Sequence, residues 1–425
     1  MRWLLLLLFA ALPLQWIVVP LPLVNQRIHI VVMVLVAAIG YLRFRSGAFR
    51  AVVLVSWPFL AGMVVLVATW LATALYHHES PLDPLEACVQ ALVFVSLGTA
   101  IHKVAVDDSG RGMDVLRWAA TVCSLTLIAA LGISMSLNAV DPVAVFTRTV
   151  ATGDPNVLQR ELFKFAFVGL GYDDTSVKAN FRHEIFAAVL VSLYMSAAAT
   201  RLRPFTSTFA LWLSRFFTLV SFLLLLVSLG RSLIIAAVLG LGVGVVRVVE
   251  SQRIRVDQLF AGAGIAAVLA ALGWTGFLSV LWIKFTQDTT SYQNRDGLLQ
   301  LAFQNILAHG LTGGVNTTGG ESSHNFILDA WLRSGIAGAL AALWVSAVLL
   351  GLLLSMLGRL SLEPAWMVPT LGALCLVLVR MFTAGGGTIP PVEWVALAVV
   401  VGLMALRQDR VLEAHRDRAG ASSSR

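Results

Sequence analysis

Charged residues are scarce in this chain. Asp, Glu, Lys and Arg make up only 12% of the 425 residues, whereas 58% are hydrophobic, and the mean hydropathy is +0.84. Because soluble domains carry about 25% charged residues, this composition excludes a soluble globular protein. It predicts a polytopic membrane protein that forms a single integral membrane domain over residues 1–425, with no separate soluble domain.

Cysteine and acidic residues are also few. Cys88, Cys123 and Cys375 fall inside apolar runs, so we expect buried small side chains rather than a disulfide framework or a zinc site. Lys and Arg number 30 against 23 Asp and Glu, which gives a formal net charge of +7. In a membrane protein such an excess is expected in the loops of one side. It therefore does not predict a nucleic-acid partner.

The apolar runs predict an all-α fold. A helix needs about 20 apolar residues to cross a bilayer, and the chain has about twelve segments of this kind. The first begins like a signal peptide, but no cleavage pattern follows, so we expect an uncleaved span. A break at Gly230 and Arg231 could instead be a kink within one long span, which would change the count. The predicted spans cover residues 3–23, 28–42, 51–75, 85–106, 116–137, 184–200, 206–229, 231–249, 257–282, 326–356, 364–383 and 391–407.

The distribution of arginine predicts the orientation. Short cytoplasmic loops concentrate Lys and Arg, and every second connection of this chain is basic if the N-terminus is inside. Both termini are then cytoplasmic, residues 408–425 form a cytoplasmic tail, and two long connections, 138–183 and 283–324, lie in the periplasm. The first is expected to carry an amphipathic surface helix with Arg160 and Lys164 on its polar side. The basic residues of the predicted cytoplasmic side are Arg43, Arg45, Arg50, Arg111, Arg117, Arg201, Arg203, Arg247, Arg253, Arg255, Arg359, Arg407, Arg410, Arg416 and Arg418.

One histidine stands where a polar loop meets an apolar helix. A loop rich in Gly, Ser and Thr ends at His324, and either Ser322 or Ser323 can cap the helix that follows. Gly335 and Gly338 follow at nearly whole numbers of helical turns, and small residues on one face let another helix approach closely. We therefore expect His324 to face the bundle. A histidine at this place can be a cap or interface residue, or a catalytic group.

Three arginines near the predicted outer boundary are candidate ligand residues. Arg231 follows a break in an apolar segment, where a charge is costly unless it meets a partner or a wet cavity. Snorkelling to the interface is the alternative. Arg295 leads a helical stretch in the second long connection, where it could equally be a solvated residue. Arg182 stands at the start of a span, a position typical of an interfacial anchor.

The pattern around the histidine resembles a known family. His324 and Asn325 are followed by nine residues and then by Gly335-x-x-Gly338. This arrangement is similar to the signature of the bacterial O-antigen ligase family, within the wider O-antigen ligase/polymerase superfamily.

Two further elements resemble that superfamily. Ser228 to Arg231 matches its S-x-x-R element at the start of a span. Arg295 through Gly313 and Gly314 matches its Arg-led helix and glycine turn, although the usual proline region and an aromatic position differ. The elements occur in family order over roughly the second half of the chain.

The resemblance implies a GT-C-like glycosyltransferase. Such an enzyme moves O-antigen from undecaprenyl diphosphate to a sugar hydroxyl of lipid A–core in the bacterial inner membrane, and a one-step displacement inverts the anomeric centre. By this resemblance Arg231 and Arg295, with Arg182 as a further contact, would hold the donor diphosphate, and His324 would take the proton of the hydroxyl. The residues assigned to packing of the motif are Asn325, Gly335 and Gly338.

A metal ion is a competing device for holding a diphosphate. It would need hard oxygen ligands, often from clustered carboxylates, and the predicted external carboxylates have no Asp-x-Asp spacing. Glu321 with His324 could supply two ligands, but a third is not evident, so we expect no metal and no other cofactor. The candidates considered were Asp173, Asp174, Asp288 and Glu321.

Other functions remain open from the sequence. An O-antigen polymerase and a protein O-oligosaccharyltransferase of the same superfamily use similar lipid-linked donors, and they differ in their acceptor. A transporter or lipid flippase could also have about twelve spans. Transporters usually show inverted repeats or helices broken at mid-membrane depth, whereas the polar candidates of this chain gather at the predicted outer boundary.

Overall fold

The computed structural model describes most of the chain. The described residues are 1–15, 18–20, 25–44, 47–106, 111–137, 139–158, 161–162, 175–203, 205–251, 256–287, 290–314, 323–383 and 389–423. Their regular secondary structure is helical, apart from one antiparallel pair of three-residue strands in which Val18 lies opposite Arg27. The all-α prediction is confirmed.

The elements are numbered in chain order. The first part contains α1 (Arg2–Ala11), β1 (Val18–Pro20), β2 (Asn25–Arg27), α2 (Ile28–Phe44), α3 (Gly47–Tyr76), α4 (Leu82–Val106), α5 (Arg111–Arg117), α6 (Ala119–Leu137), α7 (Pro142–Thr152) and α8 (Pro155–Leu158). The second part contains α9 (Thr175–Leu202), α10 (Thr208–Val227), α11 (Arg231–Ser251), α12 (Val256–Trp274), α13 (Phe277–Thr286), α14 (Thr290–His309), α15 (Phe326–Leu357), a 3-10 turn (Ala365–Met367), α16 (Val368–Thr383) and α17 (Pro391–Ser423).

Several helices can cross a membrane. Among the described residues, eight are long and apolar enough, namely α3, α4, α6, α9, α10, α11, α15 and α16 with its preceding turn, and the bent pair α12 and α13 would make a ninth. Two shorter apolar helices lie within α1 and α2. The chain is therefore a multi-pass, helical membrane protein, and every predicted apolar segment contains a helix. The count of about twelve spans stays a prediction.

The predicted first span is wrong as a continuous helix. α1 ends at Ala11 and the strand β1 follows, so residues 3–23 do not form one helix. Pro13 follows the last helical residue by two positions, and a proline has no N–H to continue the helix. Of the three cysteines, Cys88 is exposed, whereas the other two are buried as expected.

Two breaks interrupt other apolar segments. α10 ends at Val227 and α11 begins at Arg231, and each of these helices is by itself long and apolar enough to cross a membrane, which favours two spans over a single kinked span. The predicted span 257–282 divides at Gly276, whose φ is 80°. The axes of α12 and α13 differ there by 88°.

Most of the amphipathic surface helix predicted after α8, with Arg160 and Lys164, lies outside the described residues.

Arginine-rich chain segments meet at one end of the bundle, which we call the basic end. Arg201 donates to the carbonyl oxygen of Ala365 (3.1 Å), and Arg247 donates to that of Glu363 (3.0 Å). The buried Glu363 carboxylate also accepts a hydrogen bond from Arg407 (2.7 Å). The basic end thus joins the C-terminal parts of α9 and α11 to α17 and to the segment before α16. Further contacts at this end are Arg117 with the carbonyl of Arg203 (2.9 Å) and His102 with Asp409 (2.9 Å).

The opposite end, which we call the site end, carries the starts of three helices. Arg231 lies at the start of α11, about 24 Å along the helix from Arg247 at 1.5 Å per residue. Arg182 lies on α9 about 28 Å from Arg201 by the same rise. α15 begins at Phe326 and ends shortly before Glu363, so His324 also belongs to the site end. Between the two ends, α16 is the most enclosed span, with 83% of its apolar window buried.

Candidate active site at the start of α15

The first turn of α15 is capped by Asn325. Its backbone is extended (φ −130°, ψ 117°), and its Oδ1 accepts hydrogen bonds from the N–H groups of Ile327 (3.1 Å) and Leu328 (3.2 Å). The expected serine cap is therefore wrong for Ser323, whose Oγ instead accepts from the N–H of Asn325 (3.3 Å). The amide oxygen of Asn325 thus satisfies two of the free donors at the start of the helix. Ser322 lies outside the described residues.

A buried carboxylate holds the residue before His324. Asp329 is 1% exposed, and its Oδ1 accepts a hydrogen bond from the N–H of Ser323 (2.8 Å). The next residue, the half-buried His324, has φ of 59°, a left-handed conformation that non-glycine residues rarely adopt. Such a conformation costs of order 1–3 kcal/mol and persists where the surroundings impose it. The backbone of His324 is thus fixed by its neighbours rather than by its own preference.

The two glycines of the motif do not contact another helix as their nearest neighbour. Gly335 has φ 65° and ψ −165° and kinks α15, and a Cβ atom there would lie 2.4 Å from the carbonyl oxygen of Leu311. A Cβ on Gly313 would lie 2.3 Å from the backbone nitrogen of Gly335. Trp331 adds a hydrogen bond from Nε1 to the carbonyl of Gly310 (2.8 Å). The expected close helix approach is therefore a close approach of the loop 310–314.

The same kink in α15 also limits the space at Gly338. A Cβ atom on Gly338 would lie 2.3 Å from Cβ of Ser334 and 2.8 Å from the carbonyl oxygen of Ala330, both in α15 itself. The non-helical ψ of Gly335 crowds the turn on either side of it, so a side chain at 338 has no room. Both glycines are needed for the shape of α15 beneath His324.

The helix that carries Arg295 packs on α15. Ala302 and Ile306 of α14 form a small apolar cluster with Leu332, against which Leu328 and Trp331 also pack. The half-buried Arg295 lies on the same α14, about 10 Å along the helix from Ala302 at 1.5 Å per residue. The structure therefore fixes the helix of Arg295 to the helix that begins beside His324.

Arg231 follows a tight turn between two spans. Ser228 is buried, and its Oγ donates to the carbonyl of Leu225 (2.6 Å) and accepts from the N–H of Gly230 (3.2 Å). Leu229 has φ of 54°, so this turn also contains a left-handed residue. The half-buried Arg231 is thus the first residue of α11 at the site end. The backbone of Arg182 lies in α9, and its side chain is outside the described residues.

Sequence reasoning missed Arg333. Its guanidinium carbon lies 5.0 Å from the ring centre of Trp70. The carboxylates of Asp329, Asp83 and Glu79 stabilise its positive charge. Its carbonyl oxygen accepts a hydrogen bond from Gly314 (3.2 Å). The signal was present, because a charged residue inside an apolar helix is a functional candidate by default. Through Arg333 the connection between α3 and α4 joins the site.

A second missed feature is a buried ion pair between α16 and α17. Nε of Arg380 lies 2.5 Å from Oε1 of Glu393, and both side chains are buried. Nearby, Trp394 donates from Nε1 to the side-chain oxygen of Gln90 (3.0 Å). Arg380 lies in the last turn of α16 and Glu393 in the first turn of α17, so the pair belongs to the site end.

His, Cys, Asp and Glu side chains form no group of three that could hold a metal ion in the part of the chain that the structure describes. The external carboxylates considered from the sequence, Asp173, Asp174, Asp288 and Glu321, lie outside that part. No protein-family model and no curated protein matches the chain.

Proposed function

We propose that the protein is an O-antigen ligase, a glycosyltransferase that moves O-antigen polysaccharide from undecaprenyl diphosphate to a sugar hydroxyl of lipid A–core. One observation carries the proposal. His324 occupies a fixed loop-to-helix boundary at the same end of the bundle as Arg231, and the helix that begins beside it packs against the helix of Arg295. This arrangement supports a site with one candidate base and two candidate diphosphate ligands.

The chemistry matches the residue types. The acceptor hydroxyl oxygen attacks the anomeric carbon of the donor, the bond from that carbon to the diphosphate oxygen breaks, and undecaprenyl diphosphate leaves. His324 takes the hydroxyl proton, a contribution of typically 10²–10⁴-fold. Arg231 and Arg295 stabilise the charge that develops on the leaving diphosphate through charge-assisted hydrogen bonds. The donor bond supplies the energy, so the proposed reaction uses neither a metal nor another cofactor and inverts the anomeric centre.

The proposed orientation places the site end in the periplasm and the basic end in the cytoplasm. Arg201, Arg247 and Arg407 meet at the basic end, which supports a cytoplasmic side rich in arginine. Both termini are then cytoplasmic in the bacterial inner membrane. A GT-C-like bundle of about twelve spans further requires that α2, α12, α17 and the segment that begins with α1 also cross the bilayer.

The test is transfer by purified protein in vesicles. Wild-type protein is given an undecaprenyl-diphosphate-linked glycan and lipid A–core, and products are resolved by gel and mass spectrometry. We expect glycan on lipid A–core with wild type and a loss of about 10²–10⁴-fold with His324→Ala. His309→Ala is the matched control, because His309 is exposed at the end of α14.

Other products would redirect the proposal. Longer undecaprenyl-linked chains without a core product would mean a polymerase, and glycan on an added protein acceptor would mean a protein O-oligosaccharyltransferase. Movement of the lipid-linked glycan across the vesicle membrane, with no transfer to any acceptor, would mean a transporter. Equal rates for His324→Ala and His309→Ala would remove His324 from the reaction.

A further inference from the structure

α13 does not continue the path of α12. α12 has 19 residues, about 28 Å at 1.5 Å per residue, and it leads from the basic end, where α11 ends, to Trp274 at the site end. At Gly276 the chain turns by 88°. The ten residues of α13 span about 15 Å, too short to cross a bilayer. α13 therefore runs across the end of α12 instead of extending it.

One face of α13 packs on α7. Phe277 and Val280 are buried, and the ring of Phe277 stacks on that of Phe146 with centres 5.2 Å apart. A Cβ atom on Gly276 would lie 3.2 Å from Cγ1 of Val150. This contact fixes which side of α13 faces outward.

The outward faces of the two helices differ in chemistry. On α13, Leu278 and the 68% exposed Trp282 are four residues apart and share one face, and the 94% exposed Trp274 ends α12 just before the bend. Lys284, the charged residue of α13, is buried. On α7 the exposed Arg148 instead forms an ion pair with Glu161 (2.9 Å). The exposed ion pair thus lies at α7, and the outward aromatic rings lie on and beside α13.

We propose that the face of α13 made by Leu278 and Trp282, with Trp274 beside it at the end of α12, lies on phospholipid at the membrane interface of the site end. Tryptophan prefers this depth because its ring is apolar and its N–H can bond to headgroups or water. In-plane helices bury an apolar face at the boundary of headgroups and acyl chains. The occupant is the bilayer, because α12 is an apolar helix of 19 residues, about the length that a span needs, and it leads directly to this face.

The anchored helix sets the depth of Arg295. Only residues 287–289 separate α13 from α14, so the interface that holds α13 also holds α14 near the headgroups. The diphosphate of a lipid-linked donor lies at that depth. This step rests on the proposed function, whereas the binding of phospholipid by α13 does not.

Fluorescence quenching tests the lipid contact. Full-length protein is placed in vesicles whose lipids carry bromine either near the glycerol or near the chain terminus, and the emission of Trp282 is taken as wild type minus Trp282→Phe. We expect stronger quenching by the shallow bromine. Trp344 is the matched control, since it is half exposed in the middle of α15 and bonds to the carbonyl of Pro58 (2.9 Å). Its order of quenching should be the reverse.

Two results would overturn the lipid contact. Trp282 quenched most by the deep bromine would put α13 inside the membrane. Quenching by acrylamide in the water, with none by either lipid, would leave the face for another partner.

A second arm tests the link to transfer. Leu278→Ser with Trp282→Ser should raise the KM for the undecaprenyl donor on the order of tenfold, because interfacial binding scales with the apolar area buried. A donor with a short, water-soluble lipid should not change, and Leu307→Ser on the exposed face of α14 should behave as wild type. An equal loss with both donors would overturn the link. Absence of transfer by wild type would reject the proposed function while the quenching result stands.

Discussion

The two ends of the bundle are built differently. At the basic end, arginine side chains bind backbone carbonyls and the buried carboxylate of Glu363. At the site end the backbone itself takes uncommon conformations, because every residue with positive φ in the described part of the chain lies there. These are four non-glycine residues, His78, Ala139, Leu229 and His324, and five glycines, Gly153, Gly276, Gly313, Gly314 and Gly335.

The comparison shows that the site end, and not the basic end, holds strained backbone conformations. Left-handed non-glycine residues cost of order 1–3 kcal/mol each and cluster at functional sites. Ordinary helix ends joined by charge-assisted hydrogen bonds carry no such cost. We therefore expect changes at the basic end to alter stability alone, and changes at the site end to alter stability and transfer together.

The largest expected effect on stability concerns the ion pair of Arg380 and Glu393. This pair is an exception to the contrast, because it is a side-chain contact buried at the site end. Arg380→Met leaves the Glu393 carboxylate buried without its partner, and breaking a buried pair costs about 3–5 kcal/mol. Thermal unfolding in detergent measures the loss. The control is the double variant Arg380→Met with Glu393→Leu, which removes both charges and should recover most of the stability. A double variant as unstable as the single one would show that packing, not charge, matters at this place.

The next effect concerns the backbone of the site end. Gly335→Ala places a Cβ atom against the carbonyl of Leu311 in a left-handed conformation, which we expect to cost about 2–3 kcal/mol and to lower transfer, because the loop 310–314 must move. Unfolding and transfer are measured on the same preparations.

Gly351→Ala is its matched control on the same helix. A Cβ atom at 351 meets nothing within 4 Å, so alanine should stabilise α15 by about 0.5–1 kcal/mol. Equal stability and equal transfer for the two variants would show that the kink at Gly335 does not shape the site.

The sequence predicts the helices well and their breaks less well. Apolar length is a local property, so every predicted segment contains a helix. The 88° turn at Gly276 depends on a positive φ and on packing against Val150, and neither is visible in apolarity. The strand after α1 likewise interrupts a run that is apolar enough for a span.

The site is predictable in part for the same reason. His324 is found because a polar loop meets an apolar helix there. Its support by Asp329 depends on a carboxylate reaching back to the N–H of Ser323, a contact that spacing alone does not give. The pairing of Arg380 with Glu393 joins two helices across a loop, so the sequence offers two charged residues in apolar helices without showing that they meet.

A smaller effect is expected at the basic end. Glu363→Gln keeps the shape of the buried side chain and removes the charge that binds Arg407, at a cost of about 1–2 kcal/mol. The cost is below that of Arg380→Met because Arg407 is 39% exposed and water can replace part of the contact. Transfer per folded molecule should match wild type. A loss of transfer larger than the loss of folded protein would contradict the division of roles between the ends.

The smallest effect is expected on the outer face of α7. Arg148 and Glu161 form an ion pair at 2.9 Å, but both side chains are well exposed, so Arg148→Ala should cost no more than about 0.2–1 kcal/mol. Raising the salt concentration should reduce the difference in stability between variant and wild type, because exposed pairs are screened.

This variant sharpens the comparison of the two ends, since it removes a charge at the site end without changing strained backbone or a buried partner. If transfer also stays at the wild-type rate, the sensitivity of the site end comes from its backbone and buried groups. A large fall in transfer with unchanged stability would instead mean that the charged face of α7 takes part in binding an acceptor.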